Sequence, residues 1–122
     1  MAARKSIIPK RGEIYLTKFD PAFGVEIKKT RPALILQNNI NNAQSPITII
    51  AGITSQFGPT LYPTEVLIKR PEGGVAIDCV VLLNQIRSVD RKRLIKYIGR
   101  LEDETMNQVD EAIKISLGLI EI

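Results

Sequence analysis

Ile47-Thr-Ile-Ile-Ala-Gly-Ile53 is the stretch on which the fold turns. It is dense in β-branched side chains, which are stiff at χ1 and pack well on a pleated surface. Such a run predicts a strand. Toward the N-terminus, Arg31-Pro-Ala-Leu-Ile-Leu-Gln37 is a second apolar run fit for a central strand. Pro32 sits near its start, where a missing amide is tolerated. Gly12-Glu-Ile-Tyr-Leu-Thr-Lys18 alternates apolar and polar residues like a half-buried strand. Asp20-Pro21-Ala-Phe-Gly24 is turn chemistry and opens a loop to Lys29, while Asn-rich Asn38–Ser45, ended by Pro46, predicts another loop.

Toward the C-terminus, Thr54-Ser55-Gln56 stand where the strand gives way to the loop Phe57-Gly-Pro-Thr60. Thr64–Ile68 is a short strand and Arg70-Pro-Glu-Gly-Gly74 a turn. Ala76–Leu83 and Gln85–Val89 read as two further strands, the first so uniformly apolar that both faces are buried. Leu94–Leu101 accommodates a short helical turn and a last strand. Beyond it, Met106, Val109, Ala112, Ile113, Ser116 and Leu117 recur at three- and four-residue spacing, the stripe of a core-packed helix. Glu102, Asp103 and Glu104 lie at its positive end with Asp103 placed to cap it, and Gly118 marks its end.

Five to seven short strands and one terminal helix define a mainly β, α+β architecture: a small, strongly bent barrel or sandwich with the helix packed on it. The 122 residues suffice for one domain, 1–122, with residues 1–9 a frayed basic lead-in. No stretch is long enough to span a bilayer, the N-terminus lacks a signal peptide's apolar run, and the single Cys79 asks for no oxidising compartment. A cytoplasmic protein is expected.

The absences are informative. There is no histidine, which removes the commonest general acid/base and the commonest metal ligand, and one cysteine makes no thiolate metal site. Neither a metal nor a cofactor is expected. No Trp is present, and three Tyr and three Phe leave little for an extended base-stacking platform. The net charge is +4, which favours polyanionic partners. Lys28-Lys29-Thr30-Arg31 packs three cations into four positions beside a strand start. Arg87–Arg100 carries six Arg/Lys against one Asp, which as a charge run alone is a solvated face.

Several landmarks recur in fixed order: Arg11-Gly-Glu-Ile-Tyr15, Thr30-Arg-Pro-Ala-Leu-Ile-Leu-Gln-Asn38, Ser45-Pro46, Ile53-Thr-Ser-Gln56 and Leu61-Tyr-Pro-Thr64. Asp78-Cys-Val-Val-Leu-Leu-Asn-Gln-Ile-Arg-Ser-Val-Asp90 and Val109–Gly118 complete the series. Together they resemble the MazF/PemK family of toxins from type II toxin–antitoxin systems, from about Lys10 to the C-terminus. The resemblance implies a CcdB/MazF-like, SH3-like β-barrel that forms a homodimer. It implies sequence-specific cleavage of single-stranded RNA, often mRNA, and inhibition by a MazE-like antitoxin. The family's catalytic pair falls on Arg31 and Thr54. RNA-binding candidates around them are Glu26, Lys28, Lys29, Thr30, Ser55, Gln56, Gln85 and Arg87.

Chemistry makes independent sense of that pair. RNA is cut without metal when its own 2′-hydroxyl attacks the adjacent phosphorus, leaving a 2′,3′-cyclic phosphate and a 5′-hydroxyl. A guanidinium is planar, always charged and matched to two phosphate oxygens, so Arg31 suits charge stabilisation and protonation of the leaving oxygen. It is a poor general base, being almost wholly protonated at pH 7. A Thr54 hydroxyl adds one hydrogen bond to a non-bridging oxygen. Glu26, in the loop before Arg31, is the first candidate for the base.

Two departures from the family pattern stand out. Val25-Glu-Ile-Lys-Lys29 replaces a Ser-Glu-Gln-Gly-Gly common in relatives and enlarges the positive field beside Arg31. Asn84 replaces a Glu common before Gln-Ile-Arg, which puts a base-reading contact there in doubt. Two other readings remain open: a CcdB-like gyrase inhibitor, whose Trp-containing C-terminus this chain lacks, and a family member that binds RNA or antitoxin without cutting.

Overall fold

A computed structural model describes residues 7–21, 24–26 and 29–121. The strands are β1 (Glu13–Lys18), β2 (Thr30–Ile35), β3 (Ile47–Thr54), β4 (Glu65–Ile68), β5 (Cys79–Asp90) and β6 (Leu94–Arg100). Helix α1 (Asn39–Gln44) joins β2 to β3 and helix α2 (Asp103–Ser116) closes the chain. The strands form one antiparallel sheet in the order β4-β5-β3-β2-β1-β6. Register shifts in the β1–β6 and β3–β5 pairs bend it, as bulges do.

The sheet curls toward closure. A 3₁₀ turn, Glu72–Gly74, follows edge strand β4 and lies against the opposite edge strand β6. Gly73 and Gly74 both adopt positive φ, and a Cβ on Gly74 would stand 2.3 Å from the Ile98 carbonyl oxygen. A Cβ on Gly99 would likewise meet the Gly73 carbonyl oxygen at 2.3 Å. Only glycine permits such backbone-on-backbone contact. The mainly β, barrel-like fold with a C-terminal helix expected from sequence is what the chain adopts, the sheet staying open with its edges bridged by a turn.

Both faces are covered. On one, Leu34, Ala51, Ile53, Val81 and Leu83 pack with Met106, Val109 and Ala112 of α2. On the other, Tyr15, Ala33, Ile35, Ile50 and Val89 close around Phe19 and Leu94. Each buried aliphatic contributes about 1.5–3 kcal/mol. Among the described residues the ion pairs are Arg11–Asp110 at 2.5 Å and Lys114–Glu111 at 3.3 Å, both part-exposed. Such pairs contribute at most about 1 kcal/mol each, so apolar packing holds the fold.

Four local readings are corrected. Asn38–Ser45 holds a helix rather than a loop: the Asn38 side chain accepts from the Asn41 amide at 2.9 Å and caps α1. The segments read as two strands at Ala76–Leu83 and Gln85–Val89 are one strand, β5, starting at Cys79. The helical turn precedes Leu94, at Arg91–Arg93, and β6 fills the rest. Glu102, not Asp103, occupies the N-cap of α2 and makes no side-chain cap bond; Asp103 is the first helical residue, where its charge still opposes the dipole favourably. Gly118 follows the helix at φ +74°, as expected of a terminating glycine. Of the N-terminal lead-in, residues 1–6 lie outside the described residues, while Ile7 packs against the second cluster and Pro9 is buried.

Candidate active site

The β2–β3 register pairs Ala33 with Gly52 and Leu34 with Ala51. Carried two residues further, it sets Arg31 opposite Thr54. Directly opposed residues of an antiparallel pair project to the same side. Both line one cleft of about 660 Å³ at the end of the sheet, together with Ser55 and Gln56. A further wall of the cleft is formed by Gly74–Ile77, with Cys79 and Ile98.

Within this cleft the polar groups are few and their partners sparse. Arg31 is exposed; its guanidinium donates to the Thr30 carbonyl at 3.3 Å and forms no ion pair among the described residues. Thr54 Oγ1 accepts from the Gln56 amide at 3.1 Å, which anchors the side chain and leaves its hydroxyl proton available to donate. No Asp or Glu lines the cleft among the described residues. Burial first, and the neighbouring Asp78 charge second, push the Cys79 thiol up to about 11, so it behaves as a small apolar group.

The other sequence candidates separate into two places. Glu26, Gln85 and Arg87 line a second hollow of about 310 Å³ with Phe19, Val25 and Asn84. Glu26, the candidate base, thus borders a different hollow from Arg31 and Thr54. The Arg87 guanidinium donates to the Phe19 carbonyl at 3.2 Å and lies 5.8 Å from that ring's centroid. Strand alternation sets Gln85 and Arg87 on the Val89 face and Arg31 on the Ala33 face, which are one and the same side of the sheet.

The lysine-rich approach is partly described. Lys29 is exposed at φ +63°, held by its amide donating to Asp20 Oδ1 at 2.8 Å and its carbonyl accepting from the Phe19 amide at 2.7 Å. Thr30 is exposed opposite Lys18, and Lys28 lies outside the described residues. From the basic run, Arg93 donates to the Lys18 carbonyl at 3.1 Å and to that of Asp20, and so ties the turn before β6 to the end of β1.

Sequence reading missed the wall Gly74–Ile77. Glycine and aliphatic side chains advertise no chemistry, and the only signal was the Gly73-Gly74 pair, which reads as an ordinary turn. Among the described residues no cluster of His, Cys, Asp and Glu is suited to a metal, and no helix is long and apolar enough to cross a membrane.

Fold and cleft together match a class. Residues 10–117 match the family described as the PemK-like, MazF-like toxins of type II toxin–antitoxin systems, and the chain belongs to that family. The match favours the toxin reading over a CcdB-like gyrase inhibitor. The chain is 44% identical over 115 residues to the endoribonuclease EndoA of Bacillus subtilis, covering 94% of this chain and 99% of that protein. The structure of MazF from Deinococcus radiodurans superposes with a TM-score of 0.79 at 26% identity, covering 92% of this chain and 98% of that one. A MazE–MazF structure from the same organism matches at TM-score 0.72 and 25% identity, covering 92% and 97%.

Proposed function

We propose that the chain is a metal-independent endoribonuclease that cuts single-stranded RNA, mRNA included, at preferred sequences. It acts as a homodimer in the cytoplasm and is neutralised by a MazE-like antitoxin. The observation that carries this reading is the convergence of Arg31 and Thr54 from opposed strand ends on one cleft. The endoribonuclease name of the Bacillus subtilis relative supports the activity. The MazE–MazF structure from Deinococcus radiodurans supports the antitoxin.

The chemistry follows from the side chains available. The 2′-oxygen attacks phosphorus, the bond from phosphorus to the 5′-oxygen breaks, and the phosphate closes to a 2′,3′-cyclic diester. Arg31 stabilises negative charge on the phosphorane oxygens and delivers a proton to the departing 5′-oxygen. Thr54 donates to a non-bridging oxygen. The 2′-proton passes to solvent. The second hollow, with Gln85, Arg87 and Glu26, lies on the same sheet face and binds a further nucleotide, while Lys28, Lys29 and Thr30 with Ser55 and Gln56 hold the phosphate backbone.

The test is digestion of single-stranded RNA by the purified chain in EDTA. Discrete cuts are expected. Cutting that requires Mg²⁺ contradicts the mechanism, and inhibition of gyrase supercoiling without RNA cutting restores the alternative.

A further inference from the structure

We propose that the apolar wall Gly74–Ile77 is a nucleobase subsite that sets size preference for a base adjoining the scissile phosphate; this rests on the ribonuclease reading. At about 660 Å³ the cleft is larger than a phosphodiester group fills, and Arg31 and Thr54 make up only part of its lining. Much of the remaining lining is aliphatic, Val75, Ala76, Ile77 and Ile98 among it. Ile77 is 58% exposed, and Ala76 is exposed beside it. An exposed aliphatic lining the same cleft as the phosphate-binding pair suits the flat, weakly hydrated face of a base.

The wall is fixed in place. Gly73 and Gly74 are seated on the β6 backbone so closely that no Cβ fits at Gly74 or at Gly99. Edge strand β6, paired to β1 and through it to β2, therefore holds the wall at a set distance from Arg31. A gap of set width discriminates by size, so the wall separates purine from pyrimidine rather than reading base edges. Contacts in an apolar pocket discriminate by about 10- to 200-fold per methylene-sized difference.

The experiment maps 5′ ends after the native chain, Ile77→Ala and Ile77→Val digest a pool of RNA randomised around the cut. Ile77→Ala is expected to lower purine-against-pyrimidine selectivity at one flanking position about tenfold, with Ile77→Val close to native. The exposure of Ile77 makes both substitutions mild for the fold, and thermal unfolding checks that. Cutting by all three chains with flanking selectivity unchanged within about twofold overturns this subsite alone. Failure of the native chain to cut overturns the ribonuclease reading and the subsite with it.

Discussion

Arg31 and Thr54 line one cleft, each two residues beyond the Ala33–Gly52 pair that ends the β2–β3 register. Their relation is a consequence of register. A slip of one residue between β2 and β3 would turn one of the two away from the cleft. The core enforces the register, because Leu34 and Ala51 belong to one cluster and Ala33, Ile35 and Ile50 to the other.

Thr54 is expected to act through its hydroxyl. Thr54→Ala removes one donor to the phosphate and should lower kcat on the order of 10²–10³-fold, whereas Thr54→Ser should restore most of it. Single-turnover cleavage of a short RNA separates the two variants. Equal loss in both would show that the hydroxyl is not the acting group.

Arg31 should depend on its fork and not merely on its charge. Arg31→Lys keeps the cation but loses the paired, planar donors, so it should recover only a small part of the native rate. Binding of uncut RNA analogues, read by fluorescence anisotropy, should fall less than the rate does. Native cleavage by the lysine variant contradicts the assignment.

Alkaline stability follows from two buried acids. Burial, with the Asp78 charge, lifts the Cys79 thiol from 9.0 to about 11, and burial with the hydrogen bond to Glu13 raises the Tyr15 phenol. The native state holds these protons after the unfolded chain has released them. Stability is therefore full below about 9 and declines as pH rises toward about 11. Denaturant midpoints at pH 7.5, 9 and 10.5 should fall in that order, and Cys79→Ala should flatten part of the slope.

The α1 crossover rests on a buried polar cluster. Asn42 Oδ1 accepts from Gln37 Nε2 at 2.9 Å and from Thr48 Oγ1 at 2.8 Å, while its amide donates to the Gln37 carbonyl at 2.9 Å. Asn42→Ala removes a partner from the Thr48 hydroxyl and from the Gln37 carbonyl in the interior, while Gln37 Nε2 keeps its bond to the Ile47 carbonyl, and should cost about 1–3 kcal/mol, measured by urea unfolding. A loss within 0.5 kcal/mol would show that water or rearrangement satisfies them.

Strand β1 and helix α2 were legible because a residue period of 2 or 3.6 is written directly in their apolar positions, and β2 and β3 because their apolar and β-branched runs are bounded by turn residues. Helix α1 was not: its six residues are too few to show a period, and their Asn content mimics a loop, although Asn38 and Pro46 were its start and stop signals. Strand β5 was split because its polar residues Asn84 and Gln85 interrupt the apolar run. They fall where the ladder jumps, Ala51 pairing with Ile86 but Ile53 with Val81. A bulge tolerates polar side chains that a regular central strand would bury. In the site, Arg31 and Thr54 came from the family pattern, since a cation at a strand start and a hydroxyl at a strand end are common anywhere. The second hollow and the glycine-seated wall depend on contacts between Phe19 and Arg87 and between Gly74 and Ile98, which are far apart in the chain.

The central claim is tested most directly by the ends left on RNA by the native chain and by Arg31→Ala, both in EDTA. The native chain should leave 5′-hydroxyl and 2′,3′-cyclic phosphate ends, and Arg31→Ala, folded by circular dichroism, should leave none. Ends bearing a 5′-phosphate, or undiminished cutting by Arg31→Ala, would contradict it.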